Sequence, residues 1–116
     1  YRSMSSIQDA AASGAAHLTS FLGTDTVSAI DFLEEFYGAN FQDGIIGCSV
    51  PASEHSVMCM GLRENEKETF ARLLNLYPKG IVSIVSDSWD LWKVVTEYMK
   101  ELKQTILTRD GKLVLR

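Results

Sequence analysis

The sequence predicts an α/β fold made of parallel β-α-β units. Apolar runs of strand length alternate along the chain with segments whose apolar residues recur at helical spacing. The run at 81–85 is almost wholly apolar, as expected of a strand that is covered on both faces. Because strand-helix-strand connections are right-handed and join parallel strands, this alternation indicates a parallel sheet. Periodicity alone fits both an open, doubly wound sheet and part of a closed barrel.

The first half of the chain predicts two helices and two extended elements. Ser6 and Asp9 resemble a capping box before an alanine-rich helix over 7–21, whose small side chains favour close packing against a neighbour. A short element at 21–23 leads to a second helix that begins near Thr26 and ends at Gly38. The apolar run at 45–50, stopped by a proline, predicts a buried strand.

The second half predicts a helix at 53–60, a helix at about 65–77, the strand at 81–85, a long helix and a final strand from residue 113. Asp87 or Ser88 is expected to cap the long helix. Its apolar stripe is Leu91, Val95, Tyr98, Leu102 and Ile106. A turn at 109–112 precedes the last strand.

Composition and charge limit the functional classes. The chain has 116 residues, of which 46% are hydrophobic and 22% charged, values typical of a globular domain or a piece of one. The net charge of −4 gives no basic surface for nucleic acid or an anionic membrane, and no apolar run has the length of a membrane span. The first methionine is residue 4 and the chain stops inside a strand pattern, so we expect a single segment, 1–116, truncated at both ends.

The two cysteines predict the compartment. Cys48 and Cys59 form neither a C-x-x-C pair nor a zinc-binding pattern. We expect two small buried thiols in a reducing environment, and therefore a cytoplasmic protein.

Polar side chains follow each predicted strand. In parallel α/β folds the carboxyl ends of the strands meet at one edge, where ligands bind. We therefore expect these residues at one edge: Arg2, Asp25, Glu54, His55, Asp87 and Arg116. Two arginines beside carboxylates and a histidine suit an anionic substrate, with Mg²⁺.

Each of these residues has a structural alternative. Asp25 and Asp87 could cap helices, while Glu54 and His55 could be solvated loop residues. Several catalytic motifs are absent from the sequence, namely G-x-G-x-x-G, the P-loop, G-x-S-x-G and H-E-x-x-H. Their absence argues against a dinucleotide oxidoreductase, a P-loop NTPase, a serine hydrolase and a zinc protease.

Several short motifs occur in a characteristic order. They are Tyr1-Arg2, Ser5-Ser6, Gly23-Thr24-Asp25-Thr26, Ser49-Val50-Pro51-Ala52-Ser53-Glu54-His55-Ser56, Val85-Ser86-Asp87-Ser88-Trp89-Asp90 and Leu115-Arg116. Together they resemble the nicotinamide phosphoribosyltransferase family over essentially the whole chain. The resemblance implies a segment of the catalytic domain, an irregular α/β barrel of the phosphoribosyltransferase type, in a homodimer with active sites at the subunit interface.

The resemblance also implies a reaction and its cofactors. The family transfers phosphoribosyl from phosphoribosyl pyrophosphate, with Mg²⁺, to nicotinamide, and this gives nicotinamide mononucleotide and pyrophosphate in NAD salvage. ATP donates a phosphoryl group to the histidine of the Glu-His-Ser motif. That histidine is His55 here, with Glu54 as a supporting residue and Asp87 as an acidic neighbour.

The remaining roles that the resemblance implies concern substrate binding. Asp25 bonds the carboxamide of nicotinamide, Ser83 faces the nicotinamide tunnel, and Arg2 and Arg116 contact the substrate. No protein metal ligand is expected. The aromatic residue before Tyr1, the phosphate loop and the partner-subunit tyrosine lie outside the sequence. We therefore expect the isolated chain to be inactive.

Two alternatives remain open. Nicotinate phosphoribosyltransferase shares the fold and the chemistry but binds an acid, which the Asp25 carboxylate would repel. In the other alternative, the chain is a non-catalytic module that retains the fold and acts only in an interaction.

Overall fold

The computed structural model describes residues 2–116 and divides the chain into two compact units, one ending at Ser49 and one running from Val50 to Arg116. Among the residues described, no helix has both the length and the apolar character that crossing a membrane requires.

The first unit contains two helices, α1 (Ile7–Leu18) and α2 (Ser28–Tyr37). Ser6 caps α1, since its hydroxyl accepts a hydrogen bond from the Asp9 N–H at 3.0 Å, as predicted. The helices approach closely through small residues. A Cβ on Gly14 would lie 2.8 Å from the Cβ of the fully buried Ala29, so only glycine fits there without a shift. Ala10, Ala11 and Ala15 of α1 are buried, as close packing requires, whereas Ala12 and Ala16 are exposed.

A parallel bridge joins the extended elements of the first unit. Gly23 pairs with Cys48, and the Thr24 N–H donates to the Cys48 carbonyl at 2.9 Å. The buried strand predicted at 45–50 is wrong, because only Cys48 of this run forms a bridge and Ile45 is 73% exposed. The prediction for Gly38 is confirmed, since this residue ends α2 in the left-handed region at φ 65°.

The second unit contains helices and strands in alternation. Its elements are α3 (His55–Met60), a 3₁₀ turn (Arg63–Asn65), α4 (Glu66–Leu76), β1 (Lys79–Ile84), α5 (Leu91–Lys93), a π-helical turn (Val94–Tyr98), α6 (Met99–Glu101), α7 (Lys103–Leu107) and β2 (Asp110–Leu115). The helical stretch from α5 to α7 is the crossover between β1 and β2, so the predicted β-α-β unit is confirmed.

The sheet of the second unit is parallel. β1 pairs with β2 in a register that runs from Lys79↔Asp110 to Ile84↔Leu115. On its other side, β1 pairs through a parallel bridge between Ser83 and Ala52. Three parallel chain segments thus end near one another, in the order 51–53, β1, β2.

The core of the second unit lies between the sheet and its helices. Its buried residues are Met58, Phe70, Leu73, Leu74, Val82, Ile84, Val85, Val94 and Tyr98. Since Val82 through Val85 are buried in succession, the carboxyl half of β1 is covered on both faces, as its apolar run predicts.

The predicted stripe of the long helix is partly wrong. Leu102 and Ile106 pack against the core and Tyr98 is buried, but Leu91 is 41% and Val95 is 42% exposed. Val94 is buried in place of Val95. The π-helical turn explains this shift, because it has more residues per turn than an α-helix and so changes the face that the preceding residues present.

Two smaller predictions are also wrong. Asp90 caps the crossover helix, in place of Asp87 or Ser88, and accepts a hydrogen bond from the Lys93 N–H at 3.0 Å. Cys48 and Cys59 are both exposed, although both are free thiols as expected. Cys48 lies in the run that has a single bridge, and Cys59 lies on a face of α3 away from the buried Met58.

Glu66 is a buried carboxyl group at the start of α4. Its side chain is 1% exposed, and its Oε1 has no hydrogen-bond partner within residues 2–116. Burial raises the pKa of Glu66, because desolvation penalises the ionised form; Asp90 adds to this effect, whereas Arg63 and Lys93 oppose it.

Glu66→Gln is expected to stabilise the fold in a pH-dependent way. A raised pKa in the folded state means that ionised Glu66 lowers stability above the ordinary glutamate pKa, and that this loss disappears when both states are protonated. The variant should therefore raise the melting temperature at about pH 8 but not at about pH 4. Glu68→Gln, an exposed change in the same first turn, is the control. An equal gain at both pH values would contradict this explanation.

Candidate active site

Four of the six residues expected at the sheet edge lie together in the second unit. They are Glu54, His55, Asp87 and Arg116. The parallel register produces this grouping, since Ala52 pairs with Ser83 and Ser83 pairs in turn with Val114. The chain then leaves the three segments at the same carboxyl edge, where α/β folds bind their ligands.

His55 and Asp87 form a hydrogen-bonded pair across two of these segments. The His55 Nε2 lies 2.9 Å from the Asp87 Oδ1, and each side chain is 61% exposed. A carboxylate in this position accepts the Nε2 proton and leaves the lone pair on Nδ1, so the imidazole is oriented as a nucleophile or base that solvent can reach. Asp87 therefore orients the histidine rather than capping a helix, and His55, as the first residue of α3, is not in a loop.

Arg116 connects the same edge to the chain segment before α3. Its Nη2 donates to the Ser53 carbonyl at 2.6 Å and to the Glu54 Oε1 at 3.2 Å. Its own N–H donates to the Ile84 carbonyl at 3.0 Å, which extends the pairing between β1 and β2. Glu54 does not cap α3 with its side chain, so its carboxylate is available to hold the guanidinium. The remaining N–H groups of the guanidinium can donate hydrogen bonds to an anion such as a phosphate.

Ser83 lies within the ladder that leads to this edge. It is 8% exposed, its N–H donates to the Pro51 carbonyl at 2.9 Å, and its carbonyl accepts from the Ser53 N–H at 2.9 Å. Its side chain alternates with those of Val82 and Ile84, so it projects from the opposite face of the sheet. The Ser83 backbone therefore takes part in the register that brings the edge residues together.

Asp25 and Arg2 lie in the first unit. Both are exposed, and the Ser49 hydroxyl donates a hydrogen bond to the Asp25 carboxylate. α2 begins at Ser28, and its N-cap, Val27, makes no side-chain capping bond, so the helix-cap alternative for Asp25 is wrong. Asp25 and Ser49 follow Gly23 and Cys48, the two residues of the parallel bridge, which explains why they meet.

Two serines of the site were missed by the sequence analysis. Ser49 bonds to Asp25, and Ser53, which is 5% exposed, accepts the Val85 N–H at 2.9 Å. Both lie in the motif that contains Glu54 and His55, but their partners are distant in sequence. Both serines lie beside the end of a predicted strand, and this position could have indicated that they belong to the candidate functional residues.

Two other features bear on the site. No group of three His, Cys, Asp or Glu side chains within residues 2–116 is arranged to hold a metal ion. A cavity of about 500 Å³ is lined mainly by apolar residues of the crossover and β2, including Met99, Ile106 and Leu113. The lining also includes Arg109 and Lys112. None of the four edge residues lines this cavity, so it is separate from the grouping at the carboxyl edge.

Comparison with known proteins decides the family. Residues 1–115 match the model of the nicotinate phosphoribosyltransferase (NAPRTase) family. The chain belongs to the nicotinate phosphoribosyltransferase family. The enzyme-family resemblance drawn from the sequence motifs is thereby confirmed, and the parallel strands and helices of the structure agree with an α/β fold.

Several relatives of this family member carry the name nicotinamide phosphoribosyltransferase. The protein from Acinetobacter baylyi is 62% identical over 109 residues, which cover 93% of this chain and 21% of the relative. The protein from Mycoplasma pneumoniae is 40% identical over 115 residues, 99% of this chain and 22% of the relative. The protein from Xanthomonas campestris is 36% identical over 118 residues, 99% of this chain and 24% of the relative. The chain thus spans about a fifth of the length of these curated relatives.

Proposed function

We propose that the chain is part of a longer pentosyltransferase that transfers phosphoribosyl from phosphoribosyl pyrophosphate to nicotinamide. The products are nicotinamide mononucleotide and pyrophosphate, a step of NAD salvage. The names of the relatives support this substrate choice. The observation that carries the proposal is the grouping of Arg116, Glu54 and the His55–Asp87 pair at one carboxyl edge.

The charge that develops in the reaction accounts for the arginine. The ring nitrogen of nicotinamide attacks C1 of the ribose while the bond to pyrophosphate breaks, through a cationic, oxocarbenium-like state. Guanidinium donors stabilise the negative charge that grows on the leaving group. We propose Arg116 for this role, with Arg2 contacting the substrate phosphates and Ser83 lining the nicotinamide tunnel. The protein supplies no nucleophile to the sugar.

Mg²⁺ is proposed to arrive with phosphoribosyl pyrophosphate. The described residues form no three-ligand group, and the carboxylates of Glu54 and Asp87 each have a partner. These carboxylates therefore fit poorly as a cage for the ion, whereas pyrophosphate oxygens are ligands that Mg²⁺ prefers. When bound, the ion neutralises part of the leaving-group charge.

His55 is proposed as the acceptor of a phosphoryl group from ATP. The Nδ1 lone pair attacks the γ-phosphorus, so a P–N bond forms while the P–O bond to ADP breaks. Asp87, 2.9 Å from Nε2, stabilises the positive charge that develops on the ring. The 61% exposure of the histidine side chain leaves it accessible to a nucleotide.

Asp25 is proposed to select the amide. Nicotinamide offers an NH₂ donor that a carboxylate accepts, whereas nicotinate offers only negative oxygens. The hydrogen bond from Ser49 orients the Asp25 carboxylate and leaves lone pairs for a substrate.

The wider assembly follows from the same resemblance. We propose an irregular α/β barrel, a homodimer and a cytoplasmic location, the last supported by the free thiols of Cys48 and Cys59. Nicotinate phosphoribosyltransferase is the second candidate, since the family bears that name. Asp25 argues for the amide. A non-catalytic module agrees less well with the pairing of His55 and Asp87.

The role of His55 can be tested in the full-length enzyme. His55→Ala should abolish ATP-stimulated turnover and the incorporation of acid-labile phosphate, because the nucleophilic nitrogen is lost, while nicotinamide binding stays nearly intact. His17→Ala is a matched control, since His17 lies in α1 and stacks on Phe21 at a centroid distance of 4.6 Å. Unchanged phosphate incorporation in His55→Ala would disprove the assignment.

The role of Asp25 predicts a change in substrate preference. Asp25→Asn should lower kcat/KM for nicotinamide and narrow its preference over nicotinate, because the like-charge repulsion of the acid disappears. Asp25 is exposed in the structure, and where bound substrate excludes water from it the repulsion and the unmet hydrogen bonds are worth several kcal/mol, on the order of a thousandfold in discrimination.

The control for Asp25→Asn is the neighbouring exposed change Asp31→Asn, which removes a carboxylate from the first turn of α2. Melting temperatures of both variants report folding. A well-folded Asp25→Asn enzyme with an unchanged amide-to-acid ratio would show that Asp25 does not select the substrate.

A further inference from the structure

Ser53 forms hydrogen bonds through its N–H, its carbonyl and its hydroxyl oxygen at the junction of the three parallel segments. Its N–H donates to the Ser83 carbonyl at 2.9 Å, its Oγ accepts the Val85 N–H at 2.9 Å, and its carbonyl accepts the Arg116 Nη2 at 2.6 Å. The residue is 5% exposed and its bond to the Val85 N–H is buried, whereas the Arg116 side chain that reaches its carbonyl is 45% exposed. Hydrogen bonds to a buried polar residue hold the segments that it joins in one arrangement.

The pattern of bonds shows that the Ser53 hydroxyl replaces a main-chain acceptor. A parallel ladder begins with the Ser83 N–H on the Pro51 carbonyl and the Ser53 N–H on the Ser83 carbonyl. The next bond of a regular ladder would run from the Val85 N–H to the Ser53 carbonyl. Here the Val85 N–H reaches the Ser53 Oγ instead, which leaves the Ser53 carbonyl for the guanidinium of Arg116.

The hydrogen bond between the Val85 N–H and the Ser53 hydroxyl lies at the same sequence separation from each member of the His55–Asp87 pair. Ser53 is two residues before His55, and Val85 is two residues before Asp87. The hydrogen bond between them therefore joins the two segments just before the histidine and its carboxylate. The ladder ends at the same point, so the chain can turn into α3 at His55.

We propose that Ser53 is a positioning residue that sets the geometry of the His55–Asp87 pair and of Arg116. The hydroxyl ends the ladder, ties the segment before α3 to the end of β1, and frees the carbonyl that holds the arginine. The effect on phosphoryl transfer rests on the function proposed above, whereas the effect on the imidazole does not. Without the hydroxyl, the Val85 N–H is left to compete with Arg116 for the Ser53 carbonyl.

The test compares Ser53→Ala with Ser86→Ala in the full-length enzyme labelled with ¹⁵N-histidine. Ser86 is the matched control, because its hydroxyl is also buried but donates to the Ile84 carbonyl of its own segment, at 2.9 Å. The ¹⁵N shifts of His55 report which ring nitrogen carries the proton. Acid-labile phosphate incorporation from ATP reports the reaction, and melting temperatures report folding.

Ser53→Ala is expected to convert a single Nε2–H tautomer into a mixture and to slow phosphate incorporation about tenfold, as misplacement of a reacting group does. Ser86→Ala should have the wild-type tautomer and the wild-type rate of phosphate incorporation. In the Asp87→Asn background, Ser53→Ala should slow incorporation less than about twofold further, because the pair it positions is already broken. Ser53→Thr retains the hydroxyl and should retain the wild-type tautomer, even if Ser53→Ala fails to fold.

A wild-type tautomer in folded Ser53→Ala, an equal effect of Ser86→Ala, additive effects with Asp87→Asn, or loss of the tautomer in folded Ser53→Thr would each overturn the proposal. If the wild-type enzyme incorporates no phosphate, the ATP-dependent role of His55 fails. The tautomer comparison then still decides whether Ser53 positions the histidine.

Discussion

The parallel register of three chain segments is the constraint on which the rest of the second unit depends. Ala52 is aligned with Ser83 and Ser83 with Val114, so the residues that follow each segment leave the sheet at one edge. The register is held by the buried carboxyl half of β1 and by the helices that cover it. The backbone N–H of Arg116 continues the same ladder to the Ile84 carbonyl, which places its guanidinium among the side chains that follow the other two segments.

In the second unit, different residues provide the stability of the fold and the candidate chemistry. The exposed His55–Asp87 hydrogen bond and the exposed Arg116–Glu54 ion pair each contribute only about 0–1 kcal/mol to folding. A fully buried Phe70 or Leu74 contributes roughly 1.5–3 kcal/mol. The buried core therefore determines where the carboxyl edge lies. The charged groups at this edge contribute little to stability, so they can be used to bind a substrate. Glu66 is the exception, because its burial raises its pKa and leaves an oxygen without a partner among residues 2–116.

The sequence predicts the parts of this structure that follow from local pattern. The apolar run of β1, the crossover and the meeting of Glu54, His55, Asp87 and Arg116 at one edge were all expected. The run at 45–50 has the same pattern as β1 but a single bridging neighbour, so composition could not reveal its exposure. The π-helical turn shifts the buried face from Val95 to Val94, and a period of 3.6 residues does not detect such a turn. The serines were missed because their partners are tertiary, and the proposed roles of the site residues came from the resemblance.

A crystal structure of the full-length enzyme with phosphoribosyl pyrophosphate and nicotinamide would test the central claim most directly. The claim is that the carboxyl edge formed by the segment 51–53, β1 and β2 is where the substrate is held. We predict pyrophosphate oxygens within about 3.2 Å of the Arg116 guanidinium, with the His55–Asp87 pair facing the bound phosphates. Pyrophosphate bound away from this edge, with neither Arg116 nor His55 approaching it, would contradict the account.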